Sequence, residues 1–222
     1  KNLKELDLWG NALTTLPASF SWLTSLERLS IRQNNFTVFP EVVTSLVNLR
    51  ELYIDNLTPA WENGWWAPRY VDMDSKNSDF ARMDNRNQIT IIPENINNLT
   101  RLQKFELKRN TIINLGNGFS NLWLTGSLDL SYNQLTSLPD NFGNLIGIKY
   151  LDLRNNRLIS LSPTFGNLSN LHTLLVKWGA NKLQSLPAWF GSLTQLGNGS
   201  YDATLDLSDQ ALSSLPSGFG QF

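Results

Sequence analysis

One spacing of apolar residues recurs along almost the whole chain, and it constrains the fold more than any other feature. In its clearest copy, Ile148, Leu151, Leu153 and Leu158 are apolar, and Asn156 stands between the last two. The pattern occurs eight times, mostly at a period of 23 residues. The second apolar positions of the eight copies are Leu6, Leu29, Leu52, Phe105, Leu128, Leu151, Leu174 and Leu205. Such periods are typical of solenoids, in which each unit packs on its neighbours.

The first part of each copy predicts a short β-strand. Two leucines separated by one residue, such as Leu151 and Leu153, lie on the same side of an extended chain. Such strands stack into a parallel sheet, and the rest of each unit supplies the long return connection that a parallel sheet requires. An asparagine follows six of the eight strands, and we expect it to satisfy backbone groups of its own turn and of the next coil. These asparagines are Asn11, Asn34, Asn110, Asn133, Asn156 and Asn181.

The second part of a typical copy carries Leu-Pro followed by phenylalanine. Proline is compatible with an irregular or short 3-10 segment and with little else in this position. The phenylalanines recur at one position of the repeat, which predicts a stacked column inside the convex wall. Its members are Phe20, Phe119, Phe142, Phe165, Phe190 and Phe219. A sheet on one side and bulkier connections on the other predict a curved array with the strands on the inside.

The third copy is interrupted. It begins 53 residues before the fourth copy instead of 23. Leu57 stands where the asparagine is expected, and the pattern resumes at Asn87. We therefore predict an insertion over residues 57–86 within the third repeat. A degenerate repeat over residues 79–101 is the alternative, and it is disfavoured because it would place charged residues at core positions.

These motifs resemble the leucine-rich repeat superfamily over nearly the whole chain. The Leu-Pro-x-x-Phe-x-x-Leu element is similar to the cysteine-free arrays of bacterial secreted or surface proteins and of eukaryotic intracellular signalling proteins. The resemblance implies a single domain over residues 1–222, an α/β solenoid of about eight repeats. It would form a right-handed curved horseshoe with a parallel sheet on the concave face and irregular or 3-10 segments on the convex face. It also implies non-catalytic binding of proteins, peptides or glycans.

Composition narrows the possible chemistry. The chain has no cysteine and one histidine, His172, which excludes disulfides and thiolate catalysis and leaves few nucleophile and base pairs for an enzyme. The acidic residues Asp72, Asp74, Asp79 and Asp84 lack the spacing of a calcium loop, so we expect neither a metal nor a cofactor. A net charge of -1 does not favour nucleic acid, and no apolar run is long enough to span a membrane.

Outward strand positions are the first candidates for a binding surface. Two columns of side chains project from the predicted sheet, and one of them is mainly acidic while the other is partly basic. One interpretation is a solvated face on which exposed charges neutralise each other, since such pairs contribute little. The other is a partner surface anchored by aromatic and basic residues, which dominate interface energies. Its candidate residues are Trp9, Arg32, Tyr53, Lys108, Tyr132, Arg154 and Trp178.

The insertion supplies a second candidate surface. Trp61, Trp65, Trp66 and Tyr70 fall within a predicted loop that also contains two prolines. A loop this long in a compact array is usually functional or disordered, and its aromatic content argues against disorder. Three interpretations remain open: rings that fill a small satellite core, a binding lip beside the concave face, and a sugar-stacking platform.

The pattern favours an interaction module that binds a protein or peptide, or a glycan, and an exported or surface-associated bacterial protein. An intracellular signalling scaffold is the alternative. The strand around Leu6 lacks an evident cap and could pair with another copy. We therefore expect a monomer or a weak dimer. The ligand and the compartment are not encoded in the pattern.

Overall fold

Short parallel strands form the concave wall of the molecule. The computed structural model describes residues 2–56, 86–177, 179–197 and 205–221, and the backbone of 59–62 and 65–70. Seven strands of the described part belong to the solenoid: β1 (Glu5–Asp7), β2 (Arg28–Ser30), β3 (Glu51–Tyr53), β6 (Lys104–Glu106), β7 (Gly126–Asp129), β8 (Ile148–Asp152) and β9 (Thr173–Leu175). They pair in parallel in the orders β1-β2-β3-β6 and β7-β8-β9.

Strands from successive repeats pair in register, as the spacing predicts. Leu29 of β2 lies opposite Leu6 on one side and Leu52 on the other, and Leu151 lies between Leu128 and Leu174. The two ladders are joined through backbone hydrogen bonds, including one from the Thr125 N–H to the Gln103 carbonyl at 3.0 Å and one from the Arg109 N–H to the Ser131 carbonyl at 3.0 Å. The apolar side of every strand therefore faces one continuous core.

Short 3-10 helices form the convex wall of the described residues. They span Ala18–Trp22, Glu41–Ser45, Glu94–Asn98, Asn117–Asn121, Phe142–Asn144, Phe165–Asn167 and Phe190–Ser192. Proline immediately precedes three of them and fixes an extended entry, because its ring sets φ near −70°. A β-strand is thinner than these connections. Successive repeats therefore lie closer together on the sheet side, and the array curves with the sheet inside.

The predicted phenylalanine column is confirmed. The rings of Phe142 and Phe165 stack with their centroids 6.2 Å apart, and those of Phe190 and Phe219 with theirs 6.1 Å apart. Val43 and Ile96 occupy the same place in the second and third repeats and are equally buried. The column is complete in the middle of the chain, where its rings are fully buried.

The asparagine ladder is also confirmed, although its amides bond to the preceding coil and not to the next one as expected. Asn156 Oδ1 accepts a hydrogen bond from the Leu135 N–H at 3.0 Å, and its Nδ2 donates to the carbonyls of Leu130 and Leu153, each at 3.0 Å. One amide therefore ties its own turn to the preceding coil. Because these groups are buried, leaving them without partners would be costly.

Asn87 occupies this ladder position in the third repeat. Its Oδ1 accepts from the Phe36 N–H, and its Nδ2 donates to the carbonyls of Ile31 and Ile54. Strand β3 pairs directly with β6, which follows Asn87 in sequence. The bounds 57–86 of the insertion remain a prediction.

Part of the predicted loop is a hairpin. Strands β4 (Pro59–Glu62) and β5 (Trp65–Tyr70) pair antiparallel, with Trp61 opposite Trp66. We predicted a loop here, and this was wrong for these ten residues. The sequence does carry a hairpin signal, because Asn-Gly lies between the two strand segments and this dipeptide favours two-residue turns.

The fifth repeat begins differently from the others. Leu124 is buried where the spacing places Thr125, and Thr125 is exposed. The backbone of Leu122 is extended, whereas the equivalent leucines elsewhere close a turn. The ladder is also shifted between Gly126 and Ser127. Leu124 thus fills the space in the core that Thr125 would leave empty.

Candidate binding surface

The concave face, defined as the outward side of β1 to β3 and β6 to β9 with the residues that follow each strand, carries charges arranged in two layers. Arg32 Nε donates to Asp55 Oδ1 at 2.6 Å, and the side chains of the two residues are 17% and 0% exposed. Lys104 Nζ lies 3.5 Å from Glu106 Oε1, with exposures of 44% and 7%. In both pairs the carboxylate lies beneath the base. The outer surface of the central repeats is therefore more basic than the composition of the face suggests.

Arg154 and Asp152 repeat this arrangement further along the sheet. The guanidinium donates through Nε to Asp152 Oδ1 at 3.0 Å and through Nη2 to Oδ2 at 2.7 Å. The hydrogen bonds to Asp152 raise the pKa of Arg154, while burial raises the pKa of Asp152. Asp152 is almost fully buried, and Arg154 reaches solvent.

Two pairs depart from the layering. Lys108 and Asp129 lie 3.5 Å apart and are similarly buried, and Lys177 and Asp206 lie 2.8 Å apart and are similarly exposed. The charges on this face do pair, as one interpretation predicts, but the acids at its centre are buried, so the solvent exposure that this interpretation assumes is wrong there. Burial desolvates the central acids Asp55, Glu106 and Asp152.

Tyr53 is not an exposed anchor, contrary to the expectation for the candidate residues. The residue is 5% exposed, and its ring is covered by Arg32 with the guanidinium carbon 4.2 Å from the ring centroid. Arg28 lies at 5.2 Å and Lys104 at 5.1 Å from the same centroid. The hydroxyl donates to Glu51 Oε2 at 2.6 Å, and burial raises the pKa of Tyr53. The ring holds three basic side chains over the sheet by cation–π attraction.

Tyr132 forms a second aromatic and basic cluster. Its ring centroid lies 4.2 Å from the guanidinium carbon of Arg109 and 5.5 Å from the ammonium of Lys108. Both Tyr132 and Arg109 have positive φ, at 56° and 58°, in the turn that follows their strands. Lys108 is buried, so Tyr132 and Arg109 are the members of this cluster that a partner could reach. Sequence analysis did not select Arg109, Arg28 or Lys104.

Trp9 lies on the concave face of the first repeat. It is 37% exposed, and its Nε1 donates to Gln33 Oε1 at 2.9 Å. The side chains of Trp61, Trp65 and Trp66, and the whole of Trp178, lie outside the described residues. The structure therefore brings Arg32 and Tyr53 together, places Lys108 with Tyr132, and leaves Trp9 and Arg154 at separate points of the same face.

Asp55 and Glu106 are two buried carboxyl groups on neighbouring coils. Asp55 Oδ2 is buried without a hydrogen-bond partner. Burial, together with the charge of Asp55, raises the pKa of Glu106 to about 7. Burial also raises the pKa of Asp55, and Arg32 opposes that change. The centre of the face thus holds acids that bind protons more strongly than solvated ones.

The remaining candidate chemistry is limited in the part of the chain that the structure describes. No group of three His, Asp or Glu residues there is placed to hold a metal ion. The acidic residues considered for calcium lie outside that part. His172 Nδ1 lies 2.6 Å from the Asn170 carbonyl, a local contact consistent with a structural histidine. Among the described residues, no helix has the length and apolar character needed to cross a membrane.

Comparison with known proteins identifies the repeat. A leucine-rich repeat family model matches residues 1–56, and a second model of that description matches residues 126–145 and 147–168. The spacing, the parallel ladder and these matches agree. This chain belongs to the leucine-rich repeat superfamily. Its fold is the α/β solenoid of that superfamily.

Relatives of this leucine-rich repeat protein come from several kinds of organism. A curated relative, the probable serine/threonine-protein kinase pats1 of Dictyostelium discoideum, is 34% identical over 114 residues, which are 50% of this chain and 3% of that protein. A solved leucine-rich repeat protein of Leptospira interrogans is 30% identical with a TM-score of 0.69, over 87% of this chain and 41% of the other.

Two further solved structures share the fold. The leucine-rich repeat domain of the type III effector XopL is 25% identical with a TM-score of 0.67, over 99% of this chain and 66% of the other. The ectodomain of the Arabidopsis thaliana receptor kinase GASSHO1/SCHENGEN3, solved with CASPARIAN STRIP INTEGRITY FACTOR 2, is 23% identical with a TM-score of 0.61, over 96% and 21%. This chain thus spans less than two thirds of each of these proteins.

Proposed function

We propose that this protein is a non-catalytic module that binds a protein or peptide partner through its concave face. The superfamily typically mediates protein–protein interaction. The observation that carries the proposal is the outer layer of basic side chains held over tyrosine rings and buried acids. Arginine and aromatic residues contribute most to binding energy in known interfaces, and a rigid support reduces the entropy lost on binding.

Site-specific photocrosslinking tests this proposal. A benzophenone amino acid placed at Arg28 would report on the concave face, because that side chain is half exposed there. The matched control is the same amino acid at Trp123, which is 72% exposed and lies outside the sheet. We expect one partner, identified by mass spectrometry and then purified, to crosslink at position 28 and not at position 123. Equal crosslinking at both positions would contradict a concave binding face.

The hairpin is proposed as a second part of the binding surface. The backbone on either side of the insertion is held at the rim of the concave face, because Asn56 Nδ2 donates to the carbonyls of Asn87 and Arg109, each at 2.6 Å. Arg109 in turn stacks on Tyr132. A partner on the concave face would therefore lie next to the insertion. A glycan that stacks on its tryptophans is the second candidate ligand, supported by their number.

We further propose an exported or surface-associated bacterial protein, supported by the similarity to the Leptospira protein and to the type III effector domain. The alternative is an intracellular signalling scaffold, which the Dictyostelium kinase match favours. That match covers a small part of the kinase and carries no catalytic activity to this chain. Fractionation of source cells with an antibody to this chain distinguishes the exported protein from the intracellular scaffold.

We also propose a monomer or a weak dimer through β1, which light scattering during size-exclusion chromatography tests.

A further inference from the structure

The centre of the concave face combines a buried acidic layer with an accessible basic layer. Asp55 and Glu106 are nearly inaccessible, whereas Lys104 is well exposed and Arg32 reaches the surface. A bound partner would therefore meet the basic groups first. Charge complementarity on such a surface favours an acidic partner segment over a basic one.

The strength of that basic layer depends on whether the acids beneath it are ionised. Asp55 Oδ2 has no partner, and Glu106 is neutralised through a single 3.5 Å contact with Lys104. A buried carboxylate with so few donors is costly to keep ionised, and protonation removes that cost. When Glu106 takes up a proton, Lys104 loses its counter-charge and becomes available to an outside anion.

We propose that Glu106, buried beneath Lys104 and one coil from the ion-paired Asp55, takes up a proton as the pH falls through neutrality, and that the concave face consequently binds an acidic segment of its partner more tightly. This inference rests on the proposed concave-face function and specifies its partner and its regulation. The raised pKa values of both acids agree with it.

The groups around Asp55 and Glu106 determine the direction in which affinity changes with pH. They come from four neighbouring coils: Arg32 after β2, Tyr53 on β3, Lys104 on β6 with Lys108 after it, and Asp129 on β7. Asp129 adds negative charge that raises the pKa of both acids, and Arg32 lowers both. Lysine and arginine stay protonated near neutral pH. The change in charge on this part of the face near neutral pH therefore comes from Glu106.

The first measurement needs no partner. Carboxyl carbon NMR of protein labelled at glutamate and aspartate follows the titration of each acid in the whole chain. We expect the Glu106 resonance to shift with a midpoint near neutral pH, and the Asp55→Asn substitution to move that midpoint downward. A Glu106 midpoint at the value of an exposed glutamate would overturn the proposal.

The second measurement uses a fluorescein-labelled, capped hexaglutamate peptide and fluorescence anisotropy. We expect affinity about fivefold higher at about pH 6 than at about pH 8, as for one additional pair of partly exposed charges. Glu106→Gln should show the higher affinity at both pH values. The matched control is Asp206→Asn, which should keep the wild-type dependence because Lys177 holds the pKa of that exposed aspartate near 2.

Three outcomes of this second measurement would overturn the proposal: an affinity that does not change with pH, tighter binding of hexalysine, or tighter binding of an oligonucleotide of equal charge. Thermal unfolding of each variant at both pH values verifies that the chain is folded. If hexaglutamate fails these tests while crosslinking still concentrates at position 28, the concave-face function stands and only this inference falls.

Discussion

Asn56 and Asn87 form reciprocal hydrogen bonds although 31 positions separate them in sequence. Asn56 Nδ2 donates to the Asn87 carbonyl at 2.6 Å, and the Asn87 N–H donates to Asn56 Oδ1 at 2.8 Å. Both residues are buried. The third repeat therefore closes across its interruption, and the array continues into β6 without a gap.

Asn87→Ala should destabilise the protein strongly. The substitution leaves the buried Phe36 N–H without its partner, and it removes one of two donors from the carbonyls of Ile31 and Ile54, which keep Asn34 and Asn110. An unsatisfied buried group costs about 1–3 kcal/mol, so we expect a loss of that size in the free energy of unfolding. Urea denaturation measures it.

Asn11→Ala is the matched control for this experiment. Asn11 is the ladder asparagine of the first repeat, and it is exposed and bonds to carbonyls of its own turn. We expect a clearly smaller loss, because water can replace the amide. Equal losses at positions 11 and 87 would mean that the ladder does not derive its strength from burial.

Phe142→Ala should cost about 3–5 kcal/mol, since it removes a fully buried ring from the stacked column and leaves a cavity. Trp123→Ala removes a larger side chain that is mostly exposed, and it should change stability by no more than about 0.5 kcal/mol. Thermal unfolding of the two variants compares them directly. A smaller effect at Phe142 than at Trp123 is incompatible with the packing described above.

Stability should decrease as the pH rises through neutrality. The pKa of Glu106 is about 7 in the folded chain and 4.5 for an ordinary glutamate, so between these values the folded state binds the additional proton. The full benefit is present below 4.5 and is lost as the pH rises through 7. The difference between the two pKa values corresponds to roughly 3 kcal/mol in the free energy of unfolding. Glu106→Gln should flatten the dependence of urea midpoints on pH, and a curve as steep as wild type would contradict this.

Much of the fold follows from the sequence because the repeat positions are decided locally. Leu151, Leu153 and Asn156 meet the same neighbours at every level, so one spacing predicts the strand, the turn and the core. The burial of the charged residues on the concave face, in contrast, depends on side chains of the adjacent coil. Arg32 and Asp55 are one period apart, which makes their contact predictable, but the spacing does not indicate which of the two would lie beneath the other.

The double substitution Trp65→Ala and Trp66→Ala distinguishes a binding lip from a structural role for the hairpin. Both residues lie on β5, in a segment whose flanking backbone is fixed beside Arg109 and Tyr132. If the tryptophans contact the partner, the variant should unfold at the wild-type temperature, and its affinity for the purified partner should fall by tenfold or more, about 1.4 kcal/mol.

Trp22→Ala is the control for this double substitution, because Trp22 is equally aromatic, is highly exposed and ends a 3-10 helix on the convex wall. It should leave both the unfolding temperature and the affinity unchanged. A large fall in the unfolding temperature of the double variant would instead assign the tryptophans to a satellite core. Calorimetric unfolding and titration of the same samples supply both quantities, so a loss of binding caused by unfolding can be recognised.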